Sequence, residues 1–376
     1  MYKAFVKPLL FRQSPDDIHE STVRVMSEAS ESATALKLAQ WVYNYQAPEL
    51  RQEILGLTFR NPVGLAAGFD KNGKLGPVIE AAGFGFLEVG SITAVASAGN
   101  PKPRTFRLEQ DRSLINRMGL NNDGAATIIK RLKKMSLSIP LGINIAKTHD
   151  PAISGEAALD DYFLSFEAAR DVADYITLNI SCPNTAEGKT FEDPEAFCRL
   201  LEKLQIDRNL SLPPVFVKFS VDLERPMLEE LIAVARSHSI SGYVAVNTSS
   251  GRDGLSVPAS RLEEIGRGGL SGMAIRDRST EFIRTLHDLN RDEKPIIGVG
   301  GIFSAEDAIE KIKAGADLLQ VYTGLIYEGP GLVKRINKGI HRYMKKNDLE
   351  YLYQIRGKAR RTESIRKARS EPVHQH

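Results

Sequence analysis

The chain has 376 residues, 42% hydrophobic and 26% charged; these proportions exclude a collagenous, wholly disordered or disulfide-scaffold protein and allow one large α/β barrel or two ordinary domains. Two cysteines, Cys182 and Cys198, fit a reducing compartment rather than a stapled secreted fold. The net charge of +3 is uneven: from Arg342 onward ten Lys/Arg face four Asp/Glu, a local +6 that leaves −3 elsewhere, so no nucleic-acid footprint across the fold is expected.

Residues 1–47 combine aromatic, apolar and basic side chains (Tyr2, Phe5, Leu9, Leu10 and Phe11 with Lys3, Lys7 and Arg12) and then read as helix through Trp41. One or two amphipathic helices are expected, with Ser14-Pro15 as N-cap and first-turn proline of the second and Ala47-Pro48 as its end. Two uses fit such a segment: a helical pair packed on its own domain, or an interfacial segment whose apolar face touches lipid. No run of about eighteen apolar residues exists to span a bilayer, and Met1 to Phe11 lack the layout of a secretory signal.

After a hairpin element at Ile54–Phe59, eight β-rich runs alternate with helix-length stretches: Val63–Ala66, Phe86–Val89, Leu141–Ile145, Tyr175–Asn179, Val215–Phe219, Tyr243–Asn247, Ile296–Val299 and Leu318–Tyr322. Most are continuously apolar, as parallel strands buried on both faces are. Eight β/α units predict an α/β fold of the (β/α)8 TIM-barrel type over residues 48–344, with an N-terminal helical segment over 1–47 and a basic C-terminal tail, helical or disordered, over 345–376. A doubly wound open sheet is the alternative, but Ala66-Ala67-Gly68-Phe69-Asp70-Lys71 after the first run is not a dinucleotide fingerprint.

A barrel of this kind works at the C-terminal ends of its strands. Those ends carry Ala67, Gly68 and Lys71; Gly90-Ser91; Asn144; Asn179; Lys218; Asn247-Thr248; Gly300-Gly301; and Tyr322-Thr323-Gly324. Glycines after strands seven and eight, joined by Gly268-Gly269-Leu270-Ser271-Gly272, predict a phosphate site, because phosphate oxygens need close approach of bare backbone N–H groups. Asn116, Asn144, Asn179, Asn184 and Asn247 line up at the same end and suit an uncharged ring rich in N–H and C=O groups. Lys71 and Lys218 offer fixed cations for a carboxylate or for charge on a reduced cofactor. Cys182, in a loop after strand four, is positioned for proton transfer as thiolate, whereas Cys198 reads as an inert core residue of a helix over Pro194–Leu204. The scattered histidines support no metal site.

These residues resemble a known family. Asn61 to Lys71, Gly99-Asn100-Pro101-Lys102-Pro103-Arg104, Asn116-Arg117-Met118-Gly119, Asn179 to Thr185, Gly268 to Gly272 and Gly298-Val299-Gly300-Gly301 resemble dihydroorotate dehydrogenase, specifically its membrane-associated, quinone-using class, from Met1 to about Tyr343. The resemblance implies FMN as cofactor, with contacts on Ala67, Gly68, Ser91, Asn144, Asn179, Lys218, Gly272, Gly301, Tyr322 and Thr323. It places dihydroorotate or orotate on Lys71, Asn116, Arg117, Met118, Gly119, Leu120, Asn184, Asn247 and Thr248, and makes Cys182 the catalytic base. It further implies a quinone acceptor and contact with the cytoplasmic face of a bacterial inner membrane through residues 1–47. Two positions depart from the pattern: Val246 stands where the family has threonine, and Cys182 stands where the quinone class has serine and the soluble class, using fumarate or NAD, has cysteine. A soluble-type enzyme and a non-catalytic phosphate-binding barrel are the other readings. Oligomeric state is not legible.

Overall fold

The computed structural model describes residues 2–181, 191–208 and 211–356. The N-terminal segment forms α1 (Lys7–Leu10), α2 (Pro15–Ser30) and α3 (Ala33–Tyr43). Where one helix through Trp41 was expected after Pro15, the chain breaks at Glu31-Ser32, because the Ser32 side chain accepts the Ala35 N–H and starts a new helix. Pro15 occupies the first turn of α2 as predicted, but Ser14 makes no side-chain cap bond. The last turn stops at Tyr43, with Asn44 already extended, so Ala47-Pro48 follows the helix end rather than making it.

A small hairpin of β1 (Gln52–Ile54) and β2 (Leu57–Phe59) leads into the main body. In chain order this is β3 (Val63–Leu65), α4 (Gly76–Ala81), β4 (Phe86–Ile92), β5 (Thr105–Leu108), β6 (Ser113–Asn116), α5 (Ala125–Leu132), β7 (Leu141–Ile145), α6 (Gly155–Ala169) and β8 (Tyr175–Asn179). It continues with α7 (Pro194–Leu204), β9 (Val215–Phe219), α8 (Arg225–Ser237), β10 (Gly242–Ala245), α9 (Ala259–Ile265), β11 (Gly269–Gly272) and α10 (Arg276–Leu289). The last elements are β12 (Ile296–Val299), α11 (Ala305–Ala314), β13 (Leu318–Val321), α12 (Thr323–Glu328) and α13 (Leu332–Lys346).

The eight predicted runs pair in parallel and close on themselves in the order β10-β12-β13-β3-β4-β7-β8-β9, so the open-sheet alternative is excluded. Outward-facing residues of these strands bury against the helices, and an inner cluster of Phe86, Tyr175, Phe216, Val244, Ile297 and Leu318 fills the barrel. Such filling makes the barrel a packed core with its chemistry confined to one mouth.

Two features depart from the linear pattern. Gly268-Gly269-Leu270-Ser271-Gly272 reads as a glycine loop, yet Gly269 to Gly272 form a strand that pairs antiparallel with β6, which also pairs with β5. This three-stranded sheet stands over the mouth. Of the tail expected to be helical or disordered, the first part stays packed as far as Arg356: Leu352 and Ile355 join the core, and Arg356 pairs with Asp317 at 3.0 Å. The rest of the basic tail lies outside the described residues.

Candidate active site

The C-terminal mouth of the barrel holds a cleft of about 1200 Å³, counted out to its open rim. Its lining draws on the turn after β3 (Ala67, Gly68, Lys71), β4 (Ser91), β6 (Asn116), β8 (Asn179), β9 (Lys218), the turn after β10 (Asn247, Thr248), β11 (Gly272) and the turns after β12 and β13 (Gly301, Tyr322, Thr323). Residues scattered over more than 250 positions meet because a parallel barrel delivers every strand end to one rim.

Several predicted residues occupy other places. Met118 and Leu120 line the cleft, but Arg117 turns away, donating to the carbonyls of Ile265 and Pro103 and stacking on Phe106 at 4.8 Å. Gly119 lies in the same turn at φ +70°, and a side chain there would run into Asn100. Asn144 is wholly buried, one layer behind the wall. Cys182 and Asn184 lie outside the described residues. Cys198 is not a core residue: it is half-buried in α7, with Sγ 3.4 Å from His238 Nε2, and burial, reinforced by Glu202, raises its pKa.

The amides are chained. Asn247 Nδ2 donates to Asn179 Oδ1 at 3.1 Å and to Ser181 Oγ at 3.0 Å. Asn179 Nδ2 donates to Ser91 Oγ at 3.1 Å, and Ser91 Oγ donates to Asn144 Oδ1. Beneath them lies Glu88, fully buried inside the barrel. It accepts from Asn144 Nδ2 (2.8 Å), Tyr175 OH (3.2 Å), Thr177 Oγ1 (3.1 Å) and Gln320 Nε2 (2.8 Å). Four neutral donors around one carboxylate answer the cost of burying it. Neither Glu88 nor Gln320 is legible as a site residue in the sequence, since each sits inside an apolar strand run that reads as barrel filling.

The second unforeseen contribution comes from α2. His19 meets Phe69 edge to face, 5.7 Å between ring centres, and Phe69 meets Tyr322 likewise at 5.5 Å. Asp16, buried, accepts the Arg104 N–H at 2.9 Å, tying α2 to the Asn-Pro-Lys-Pro-Arg turn. Burial, with Arg104 adding to it, lowers the Lys71 pKa to about 8. Burial and the neighbouring Lys71 and Arg104 cations hold His19 well below its usual value. Burial pushes Tyr322 up to about 12. A mouth with two lysines, Lys71 and Lys218, and a ring of oriented amides suits a heterocycle whose ring is uncharged and whose substituent is a carboxylate.

A family model described as dihydroorotate dehydrogenase matches residues 49–344. The chain belongs to the dihydroorotate dehydrogenase family. Relatives named dihydroorotate dehydrogenase (quinone) include that of Trichormus variabilis, 41% identical over 375 residues, spanning 95% of this chain and 98% of the relative. Another, from Gloeobacter violaceus, is 43% identical over 351 residues, spanning 93% and 97%. Among solved structures, ligand-free DHODH from Eimeria tenella is 30% identical with a TM-score of 0.78, spanning 87% of this chain and 99% of that one. DHODH of the same organism in complex with ferulenol gives a TM-score of 0.77. Dihydroorotate dehydrogenases are flavin-dependent oxidoreductases of pyrimidine biosynthesis, and the cleft described above lies within the matched region.

Proposed function

We propose that this protein oxidises dihydroorotate to orotate on FMN and passes the electrons to a quinone at a membrane surface. The observation that carries the reading is the meeting, in one cleft, of Lys71, the Asn179–Asn247 amide pair and the glycine turns after β12 and β13.

The residues fit a flavin mononucleotide. Gly300 and Gly301 both have positive φ, +111° and +69°, a conformation that leaves backbone N–H groups bare for phosphate oxygens. Thr323 Oγ1, 2.9 Å from Ser271 Oγ, adds a hydroxyl from the turn after the neighbouring strand β13. When bound, the flavin supplies the hydride acceptor.

The chain's own groups do the rest. Lys71 holds the substrate carboxylate by a charge-assisted contact. Asn116, Asn247 and Thr248, with Asn184, fix the ring through its N–H and C=O groups. Cys182 takes the C5 proton as general base. Lys218 offsets negative charge at the ring.

The acceptor side rests on α1 to α3. The segment exposes Phe5 (74%), Leu9 (61%) and Trp41 (81%), an apolar display that suits the interface of a bilayer, such as the cytoplasmic face of a bacterial inner membrane. Among the described residues no helix is long and apolar enough to cross a membrane. The His19–Phe69–Tyr322 ring series leads from α2 to the cleft and favours an acceptor that arrives between α2 and the barrel. Cys182, the soluble-class residue, favours the rival acceptors fumarate or NAD. Purified protein with flavin absorbance that turns over with quinone, and not with fumarate or NAD, supports the proposal; turnover with either of the latter alone overturns the acceptor, and colourless protein overturns the cofactor.

A further inference from the structure

Gln320 sits on β13, wholly buried, and lines the cleft. Its Nε2 donates to Glu88, while its Oε1 has no hydrogen-bond partner among the described residues. A buried carbonyl oxygen left unpaired costs stability unless a donor reaches it. The residue that carries this one lines the cleft assigned above to the cofactor.

The orientation of that oxygen is not free. A carboxylate on which four donors converge acts as an acceptor, so each amide beside it must turn nitrogen inward. Glu88 thereby aims two carbonyl oxygens away from itself. Asn144 Oδ1 takes the Ser91 hydroxyl, which begins the Ser91–Asn179–Asn247 chain. Gln320 Oε1 is left for whatever occupies the cleft. Both amides would otherwise present either end with equal ease, since O and N are nearly the same size.

We propose that Glu88 is a positioning residue that sets the hydrogen-bond polarity of the cleft floor, and that Gln320 Oε1 accepts the ring N–H of the bound flavin. The proposal rests on the FMN reading. The oxidised isoalloxazine ring carries one N–H, at N3, flanked by two carbonyls. A fixed acceptor therefore recognises that edge, and a site built to pair a ring N–H rejects an analogue that lacks it.

The test compares binding of FMN and 3-methyl-FMN to the apoprotein by flavin fluorescence. Wild type is expected to prefer FMN by about tenfold or more, the scale of one hydrogen bond. Gln320→Met, which leaves Glu88 with its other three donors, is expected to bring the two affinities within about twofold. Glu88→Gln is expected to do the same by freeing Gln320 to turn. Combining Glu88→Gln with Gln320→Glu exchanges the acceptor and the donor while keeping an oxygen toward the ring, and is expected to restore most of the preference. Loss of cleft shape alone would weaken both ligands equally and leave the ratio in place. Full discrimination in Gln320→Met overturns the proposal even if Glu88→Gln fails to fold. Failure of wild type to bind FMN overturns the cofactor reading instead, and the proposal with it.

Discussion

Nζ of Lys71 lies 3.3 Å from Nε2 of His19, so the cation that follows β3 is met by a side chain of α2. The lysine proposed to hold the substrate carboxylate and the N-terminal helical segment thus share one contact. Burial and the neighbouring Arg104 bring Lys71 down to about 8, and a neutral His19 is the form that accepts its N–H.

Lys71 is cationic below its pKa and neutral above it, so affinity for a carboxylate substrate falls as pH rises through about 8. Lys71→Met is expected to raise the KM for dihydroorotate by roughly ten- to a hundredfold, the worth of a hydrogen bond to a charged group, and to remove this limb of the pH profile. Steady-state KM from pH 6 to 9.5 checks both; an unchanged limb in the variant assigns the titration elsewhere.

Cys182→Ala is expected to slow flavin reduction by dihydroorotate about a hundredfold or more, the usual contribution of a general base. Stopped-flow single turnovers read this step apart from the acceptor, and an unchanged rate removes Cys182 from the mechanism.

On α3, Leu38 and Trp41 are 59% and 81% exposed and three residues apart, hence on one face. Replacing both by Asp is expected to abolish co-sedimentation with anionic vesicles while turnover with a short-chain, water-soluble quinone is retained. Sedimentation equal to wild type refutes the membrane face.

Lys311 is wholly buried between α10 and α11, donating to Arg276 O, Ser279 Oγ and Thr280 Oγ1. Burial lowers its pKa to about 7, with Asp307, Glu310 and Asp277 opposing and Arg276 adding to the shift. Between about 7 and the ordinary lysine value the unfolded chain holds a proton that the folded chain does not, so this group makes stability rise with pH over that window. Lys311→Met is expected to flatten the rise in urea midpoint between pH 7 and 9.5, and a slope equal to wild type contradicts it.

Gly142, on β7, has no room for a methyl group: a Cβ there would overlap the ring of Tyr175, the residue whose hydroxyl donates to Glu88. Gly142→Ala is expected to cost about 1–3 kcal/mol, measured as a lower urea midpoint at unchanged slope.

Much of the fold was legible because its signal is local. Four of the eight barrel strands begin and end where their apolar runs do: Leu141–Ile145, Tyr175–Asn179, Val215–Phe219 and Ile296–Val299. The other four differ by only one to three residues at an end. Strand ends, in turn, name the site, since a parallel barrel sends them all to one mouth. The antiparallel sheet of β5, β6 and β11 was not legible: Gly269 to Gly272 carry no β signal of their own and become a strand only through pairing with Ser113 to Asn116, more than 150 positions earlier.

Spacing and apolar runs act along the chain, so the barrel, its C-terminal mouth and the display there of Lys71, Asn179, Lys218 and Asn247 are legible in the amino-acid order alone. What orients these groups emerges from the folded arrangement instead. Glu88 lies inside an apolar strand run and has a role only once Tyr175, Thr177, Asn144 and Gln320 close around it, and His19 has one only once α2 settles against Lys71. Burial and hydrogen bonding are properties of what surrounds a side chain, and those surroundings come from distant parts of the sequence.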